Sequence, residues 1–381
     1  CIRDSPYVGQ ISMYRVMSGT IKPDLHLTNS RSGSDERLAK IAYLMGKESH
    51  LLQEIVAGDL GAVAKLSDTK TGDTLAPKNQ PVTVKPIGSP APVLAASIVA
   101  KTQADEDKLA TSLRRLLEED PALRLERSDE TRQTLLHGMG ELHLAITLEK
   151  LARKFGVNVN TEDVRVPYRE TISRQAQAEG KFKKQSGGRG QFGVAFLKVE
   201  PMPRGDGFEF VDEIKGGSIP RQFIPAVEHG IADTMSNGGV HGYPVVDVRV
   251  RVYDGKYHAV DSSEMSFKMA GSIGFKAAMK DAGPIMLEPI SRMEITVPAE
   301  YQGDVMGDLS SRRGQVQGTE AVRGGMQRIL AMVPTSEIMR YAVDLRSLSH
   351  GWGSFSASHD HYSELPAHLV DKVAREANED E

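Results

Sequence analysis

Apolar positions recur along this chain in two rhythms, one of period two and one helical. In the first 75 residues, short β-rich runs alternate with turns: ISMYRVMSGTI (11–21), IVAGDLGAVAKL (55–66) and SDTKTGDTL (67–75). This spacing predicts a small β-barrel. Residues 2–7 already read as the edge of a strand, and a barrel needs all its strands to remove exposed edges. The chain is therefore expected to begin inside a domain. APKNQPVTVKPIGSPAP (76–92) holds five prolines and reads as a linker.

After the linker the helical rhythm enters. VLAASIVAK (93–101) reads as a strand, and Thr102 with Asp105 forms a capping box for a helix with the stripe Leu109, Leu113, Leu116 and Leu117, stopped by Pro121. Strands are predicted at 123–128 and 131–138. A second helix carries Leu144, Leu148, Leu151 and Phe155 on one face, and VNVNTE (157–162) closes the unit. The order β-α-β-β-α-β is ferredoxin-like. It recurs near the C-terminus, from RMEITVP (292–298) through helices around 301–313 and Ile338–Leu345 to GWGSFSAS (351–358). Between the two lies a third αβ block, 167–289, with strands VAFLKVEP, FEFVDEI and VVDVRVRVY and helices near 219–236 and 262–282.

Composition narrows the class. With 381 residues, 39% hydrophobic and 26% charged, the chain suits two to four soluble globular domains. Its only cysteine, Cys1, leaves no intramolecular disulfide and no Cys-rich metal site, as expected in a reducing cytoplasm. No apolar run approaches the roughly 18 residues that cross a bilayer, and CIRDSPYVGQ lacks the order of a signal peptide. Because the net charge is -4, an anionic partner has to be met by a local patch.

One stretch supplies such a patch. KFKKQSGGRGQFG (181–193) packs four cations and four glycines into thirteen positions with no acidic residue. It contains a literal G-x-G-x-x-G at 188–193, but the dinucleotide fingerprint needs a strand before it and a helix after it, and here a basic coil is expected before and a strand after. RGQFGVAF (189–196) fails as an RNA-recognition signature because Gln191 takes the first aromatic position. Clustered Lys181, Lys183, Lys184 and Arg189 suit phosphate contact better than a merely solvated hairpin tip.

Other candidates carry less. His258, Asp261 and Ser262 are sequence neighbours, which says nothing about a hydrolytic triad. Asp261 with Glu264 reads as a capping box for the helix that follows, leaving His258 exposed in the preceding turn. His350, His359, His361 and His368 match no metal spacing, and HGMGELH (137–143) is not a zinc helix. No G-x-x-x-x-G-K-[ST] occurs, so this chain binds no nucleoside triphosphate in the P-loop manner and is not expected to be an enzyme by itself.

GMGELHL (138–144), QSGGRGQFG (185–193), GYPVVD (242–247), YHAVDSSE (257–264), GDVMGDL (303–309) and SRRG (311–314) stand in the order and at the spacing of one family. The chain resembles elongation factor G, the ribosomal translocase, or an elongation factor G-like paralogue, as a C-terminal fragment lacking the GTPase domain. The resemblance implies a multidomain α+β fold: a truncated translation-factor β-barrel (domain II, 1–78), a linker (79–90), a ferredoxin-like αβ-sandwich (domain III, 91–165), a ribosomal-protein-S5-like αβ domain (domain IV, 166–288), a second ferredoxin-like sandwich (domain V, 289–366) and a C-terminal helix or tail (367–381).

The same resemblance implies a function. In the family the tip of domain IV enters the decoding site while tRNA and mRNA advance, and the matching segments here are 183–191 and 256–261. The implied RNA-binding residues are Lys183, Lys184, Gln185, Ser186, Gly187, Gly188, Arg189, Gly190, Gln191, Tyr257 and His258. No cofactor or metal belongs to this fragment; GTP and magnesium would sit in the missing N-terminal domain, which makes the full-length protein a GTPase. The implied partners are the ribosome, through rRNA and ribosomal proteins, and the tRNA–mRNA pair. A cytoplasmic monomer without membrane contact is expected.

Ala259 stands where the family often has aspartate, Trp352 replaces a usual arginine, and the tail HDHYSELPAHLVDKV differs from that of the main bacterial factor. A paralogue acting in ribosome recycling or protection therefore stays open, as does a free-standing RNA-binding protein.

Overall fold

A computed structural model of the chain describes residues 2–5, 9–46, 48–185 and 190–379. It forms two compact units, the first made of Cys1–Arg165 and the second of most of the chain from Val166 onward.

The first unit opens with ten short strands: β1 Ile2–Ser5, β2 Gly9–Arg15, β3 Thr20–Ile21, β4 Leu25–Asn29, β5 Asp35–Leu38, β6 Ile41–Met45, β7 Glu48–Leu51, β8 Ile55–Val56, β9 Leu60–Ala64 and β10 Leu75–Ala76. They divide among a five-stranded sheet (β1-β2-β9-β6-β7), a three-stranded sheet (β10-β4-β5) and a two-stranded ribbon (β3-β8), and no closed barrel forms among the described residues. Val16, Leu27, Leu38, Ile41, Ile55, Val63 and Leu66 fill their common core. The buried Glu36 carboxylate holds the turn after β9, accepting from Ser67 N–H (2.9 Å) and Asp68 N–H (2.8 Å). The proline-rich stretch opens with a turn, Gln80 N–H to the Pro77 carbonyl (2.9 Å), carries no regular element after it, and is tied to this sheet assembly: Val84 N–H donates to Thr74 Oγ1 (3.0 Å).

Next comes β11 (Leu94–Ala100), α1 (Gln103–Glu119), β12 (Arg124–Arg127), β13 (Thr134–Gly138), α2 (Glu141–Phe155) and β14 (Val159–Glu162). The antiparallel sheet order β12-β13-β11-β14 is that of a ferredoxin-like sandwich. The capping box forms: Asp105 N–H donates to Thr102 Oγ1 (3.2 Å) and Thr102 Oγ1 donates to Asp105 Oδ2 (2.7 Å). Leu109, Leu113, Leu116, Leu144 and Leu151 are buried as expected, while Leu117 and Leu148 are half-buried at the flanks of their stripes. Gly156 ends α2 in the left-handed region at φ 65°, where glycine alone carries no Cβ penalty.

The second unit carries two further sheets. One has the order β16-β17-β19-β18, built from β16 (Ala176–Lys184), β17 (Gln191–Pro201), β18 (Phe208–Asp212) and β19 (Val248–Lys256). Helices α3 (Ile224–Asn237) and α4 (Glu264–Asp281) cover one face of it and close a core around Leu197, Val227, Val250, Phe267 and Phe275. Glycine sets the packing distance. A Cβ on Gly180 would stand 2.0 Å from the Ala270 carbonyl and 2.9 Å from Gly274 Cα, so β16 and α4 touch backbone to backbone.

The last sheet joins β15 (Arg169–Ile172), β20 (Pro284–Pro298), β21 (Gln315–Val322), β22 (Met326–Pro334) and β23 (Ser354–Glu364), with α5 (Gln302–Ser311) and α6 (Tyr341–Leu348) completing a second ferredoxin-like order. Its core centres on Met293, Ile295, Val305, Leu309, Ile329 and Tyr341. β20 pairs with β15 through Leu287 and with β22 from Ile290 onward, with β23 alongside between Leu287 and Thr296. Helix α7 (Ala367–Glu379) sets Leu369, Val370 and Val373 against Tyr168, Tyr243, Met286 and Leu365. Tyr243 donates its hydroxyl to the Val373 carbonyl (3.1 Å), and Arg169 lies 4.3 Å over the Tyr362 ring.

Three expectations are corrected. Residues 176–184 form a strand, so the stretch before the glycine-rich segment is not coil; small residues at 176, 178 and 180 face the helices and polar ones alternate outward. β20 begins eight residues earlier than 292, and β23 runs on to Glu364, absorbing His359 and His361. Helix α4 is capped by Ser263, which accepts from Ser266 N–H (3.3 Å), and Asp261 is engaged elsewhere.

Candidate nucleic-acid interface

The basic stretch is one end of a hairpin. β16 and β17 pair in register from Ala176↔Val199 to Lys184↔Gln191, so Lys183 lies opposite Phe192. Ser186, Gly187, Gly188 and Arg189, which follow β16 in the sequence, lie outside the described residues. Lys181, Lys183, Lys184, Gln185 and Gln191 are exposed and Gly190 is half-buried. β19 pairs with β17 and ends at Lys256, opposite Val194. That brings the turn after β19, with Tyr257 and His258, beside the hairpin end.

The two segments are joined by named bonds. Phe192 N–H donates to the Asp261 carbonyl (2.9 Å), and Ser262 Oγ donates to the Phe192 carbonyl (2.8 Å). Within the second segment His258 N–H donates to Ser262 Oγ (2.9 Å) and Ser262 N–H to the His258 carbonyl (3.1 Å). The His258 ring, 57% exposed, accepts from Asp261 N–H at Nδ1 (3.2 Å) and lies 3.3 Å from Asp261 Oδ2. Gly190 rests on the Asp261 side chain, where a Cβ would come within 3.0 Å of Cγ.

The electrostatics of this end are one-sided. Among the described residues no carboxylate lies within 4.0 Å of Lys181, Lys183, Lys184 or Lys256, and the nearby acid, Asp261, faces His258. Exposed Tyr257 (50%) and Val260 (56%) add apolar surface beside these cations. The hairpin therefore has a strand on each side and no helix following the glycines, which is not a dinucleotide site. Cations without counter-charges, exposed backbone and an accessible ring suit contact with a phosphodiester backbone.

Lys256, Phe192, Asp261 and Ser262 were absent from the expected set. In the sequence Asp261 reads as a helix cap and Ser262 only as its neighbour in a rejected triad, and their contact with Phe192 depends on strand register. The remaining motifs hold structure together. His143 accepts from Met139 N–H (3.1 Å) and lies 2.9 Å from Asp120, tying α2 to the end of α1. Arg313 makes a bidentate pair with buried Glu288 (2.6 and 2.9 Å), and Arg312 lies over Tyr341. In GYPVVD, the Tyr243 N–H donates to buried Glu170 (2.9 Å), as do Val240 and His241. Among the described residues no group of three or more metal-ligating side chains forms, and no helix is long and apolar enough to cross a membrane.

Four family models tile the sequence: elongation factor G domain 2 over residues 2–78, domain III over 89–163, domain IV over 164–283 and the elongation factor G C-terminus over 285–373. The chain belongs to the elongation factor G family. A crystal structure of a protein from Thermus thermophilus matches over 99% of this chain at 37% identity, with a TM-score of 0.83. This chain spans 56% of the length of that protein. The basic hairpin and the His258 turn thus belong to an elongation factor G domain IV, and the second ferredoxin-like unit to its C-terminal module.

Proposed function

We propose that this chain is the ribosome-facing region of a translational GTPase that promotes GTP-dependent movement of tRNA and mRNA, with the joined hairpin and His258 turn as the part that enters the decoding site. The observation that carries this reading is the tip itself. Two segments from different parts of the chain are fastened together, and their lysines have no carboxylate near them among the described residues. Lys183, Lys184 and Arg189 would meet phosphates, Gly187, Gly188 and Gly190 would let backbone approach RNA closely, and Gln185, Ser186, Gln191, Tyr257 and His258 would complete the contact. GTP and magnesium would bind in a domain preceding this one, hydrolysis there biasing the arrangement of the modules. The protein would act as a cytoplasmic monomer.

A paralogue that binds the same site for recycling or protection is favoured by two positions: Ala259, exposed at the tip, and Trp352, 68% exposed on the turn before β23.

Replacing Lys183, Lys184 and Arg189 together by alanine is expected to weaken binding to programmed ribosomes and to flatten the dependence of log K on log salt by roughly one to three units, since each phosphate contact contributes about 0.7 to 0.9. An unchanged slope would remove the tip from the RNA interface. Single-turnover mRNA movement by the complete factor then separates a translocase from a paralogue that binds without moving the message.

A further inference from the structure

The two tip segments meet through the Phe192 N–H bond to the Asp261 carbonyl (2.9 Å) and through one side-chain hydroxyl used in both directions. Ser262 Oγ accepts from His258 N–H (2.9 Å), which closes the 258–262 turn, and donates to the Phe192 carbonyl (2.8 Å), which docks that turn onto the hairpin strand. Phe192 is the register partner of Lys183, so the bond reaches the same rung of the ladder that presents the basic side chains. Ser262 is not needed to start α4, because Ser263 provides the cap. Gly190 also packs on the Asp261 carboxyl, where a Cβ would come within 3.0 Å of Cγ.

We propose that Ser262 is a positioning residue that makes the lysine hairpin and the His258 turn a single surface, so that the two segments engage RNA together. This rests on the RNA-binding reading of the tip. Ser262 itself touches no ligand in this scheme; it acts through His258 and Phe192. Alanine at 262 removes both bonds, whereas threonine retains a hydroxyl able to make them.

The first readout is hydrogen exchange on the free chain, comparing wild type, Ser262→Ala and Ser262→Thr. Opening at the tip should speed exchange of the Phe192 and Ser262 amides by about ten-fold in the alanine variant and by less than about two-fold in the threonine variant. Melting temperature should be unchanged. Equal exchange in wild type and Ser262→Ala overturns the proposal. So does faster exchange spread over the whole module with a lower melting temperature, the sign of a purely structural role.

The second readout is a double-mutant cycle for binding programmed small ribosomal subunits, pairing Lys184→Ala with His258→Ala. In the wild-type background the two losses should be strongly non-additive, and in the Ser262→Ala background they should add. Additivity in both backgrounds overturns the coupling. If neither substitution weakens binding, the RNA reading fails, and the exchange measurement, made without any ribosome, still shows separately whether Ser262 joins the segments.

Discussion

The two ends of the β16–β19 sheet treat charge in opposite ways. At one end Lys198 lies 2.7 Å from Glu200, Arg251 bridges Glu200 (3.0 Å) and Glu213 (2.6 Å), and Arg249 reaches Glu209 (2.6 Å). At the other end Lys181, Lys183, Lys184 and Lys256 have no carboxylate within 4.0 Å among the described residues. Strand β19 contributes to both sets, Arg249 and Arg251 at the first end and Lys256 at the second, while the other three lysines stand on β16. Paired side chains consume one another's field and help to hold the strands in register. Unpaired cations do neither, and their field is left for an external anion. Electrostatics of fold and electrostatics of binding are thus segregated along one sheet.

The sharpest way to break this contrast is to invert the free end. Lys183→Glu with Lys184→Glu should weaken ribosome binding by about a hundred-fold or more at low salt while leaving the melting temperature essentially unchanged. A large fall in stability would mean that these lysines serve the fold after all. The converse change comes next: Arg251→Ala removes two charge-assisted bonds and should lower the melting temperature by a few degrees, with ribosome affinity unaltered. Weakened ribosome binding at an unchanged melting temperature would erase the distinction between the two ends.

The smallest effect sharpens the comparison through pH. Hydrogen bonds from Lys198, then Arg251, hold the Glu200 carboxyl below the usual glutamate range in the folded chain. A group whose folded pKa is depressed adds stability fully present above its unfolded pKa of about 4.3 and lost as pH falls through the folded value. Glu200→Gln should therefore be less stable than wild type by under about 1 kcal/mol near neutrality. The difference should shrink as the pH drops below about 4. A gap that persists into strong acid would point to packing in place of charge.

Local chemistry was legible where it acts locally. The Thr102–Asp105 box is a short-range bond between neighbours, and both ferredoxin-like orders follow from periodicity. Register-dependent features were not. Asp261 read as the cap of α4 on sequence grounds; in the fold its carboxylate faces His258 and Ser263 provides the cap. β16 was hidden because AQAEGKFKK holds no β-branched residue, although its small residues alternate inward. The strand expected from 292 begins earlier, and Pro289 lies inside it where β20 changes partner between Leu287 and Ile290, a place at which the missing N–H is tolerated. At the tip, the basic residues and His258 could be named from sequence, and their joint through Ser262 could not.

That exchange of partners gives β20 a mechanical meaning. Its 15 residues leave α4 through Ala282 and Gly283 and continue without interruption to Pro298, braced by β15, β22 and β23. At about 3.3 Å per residue such a strand is roughly 50 Å long and already extended. If the tip engages RNA as proposed, a displacement of α4 would be passed to the C-terminal sheet through this strand, with only Ala282 and Gly283 between helix and strand.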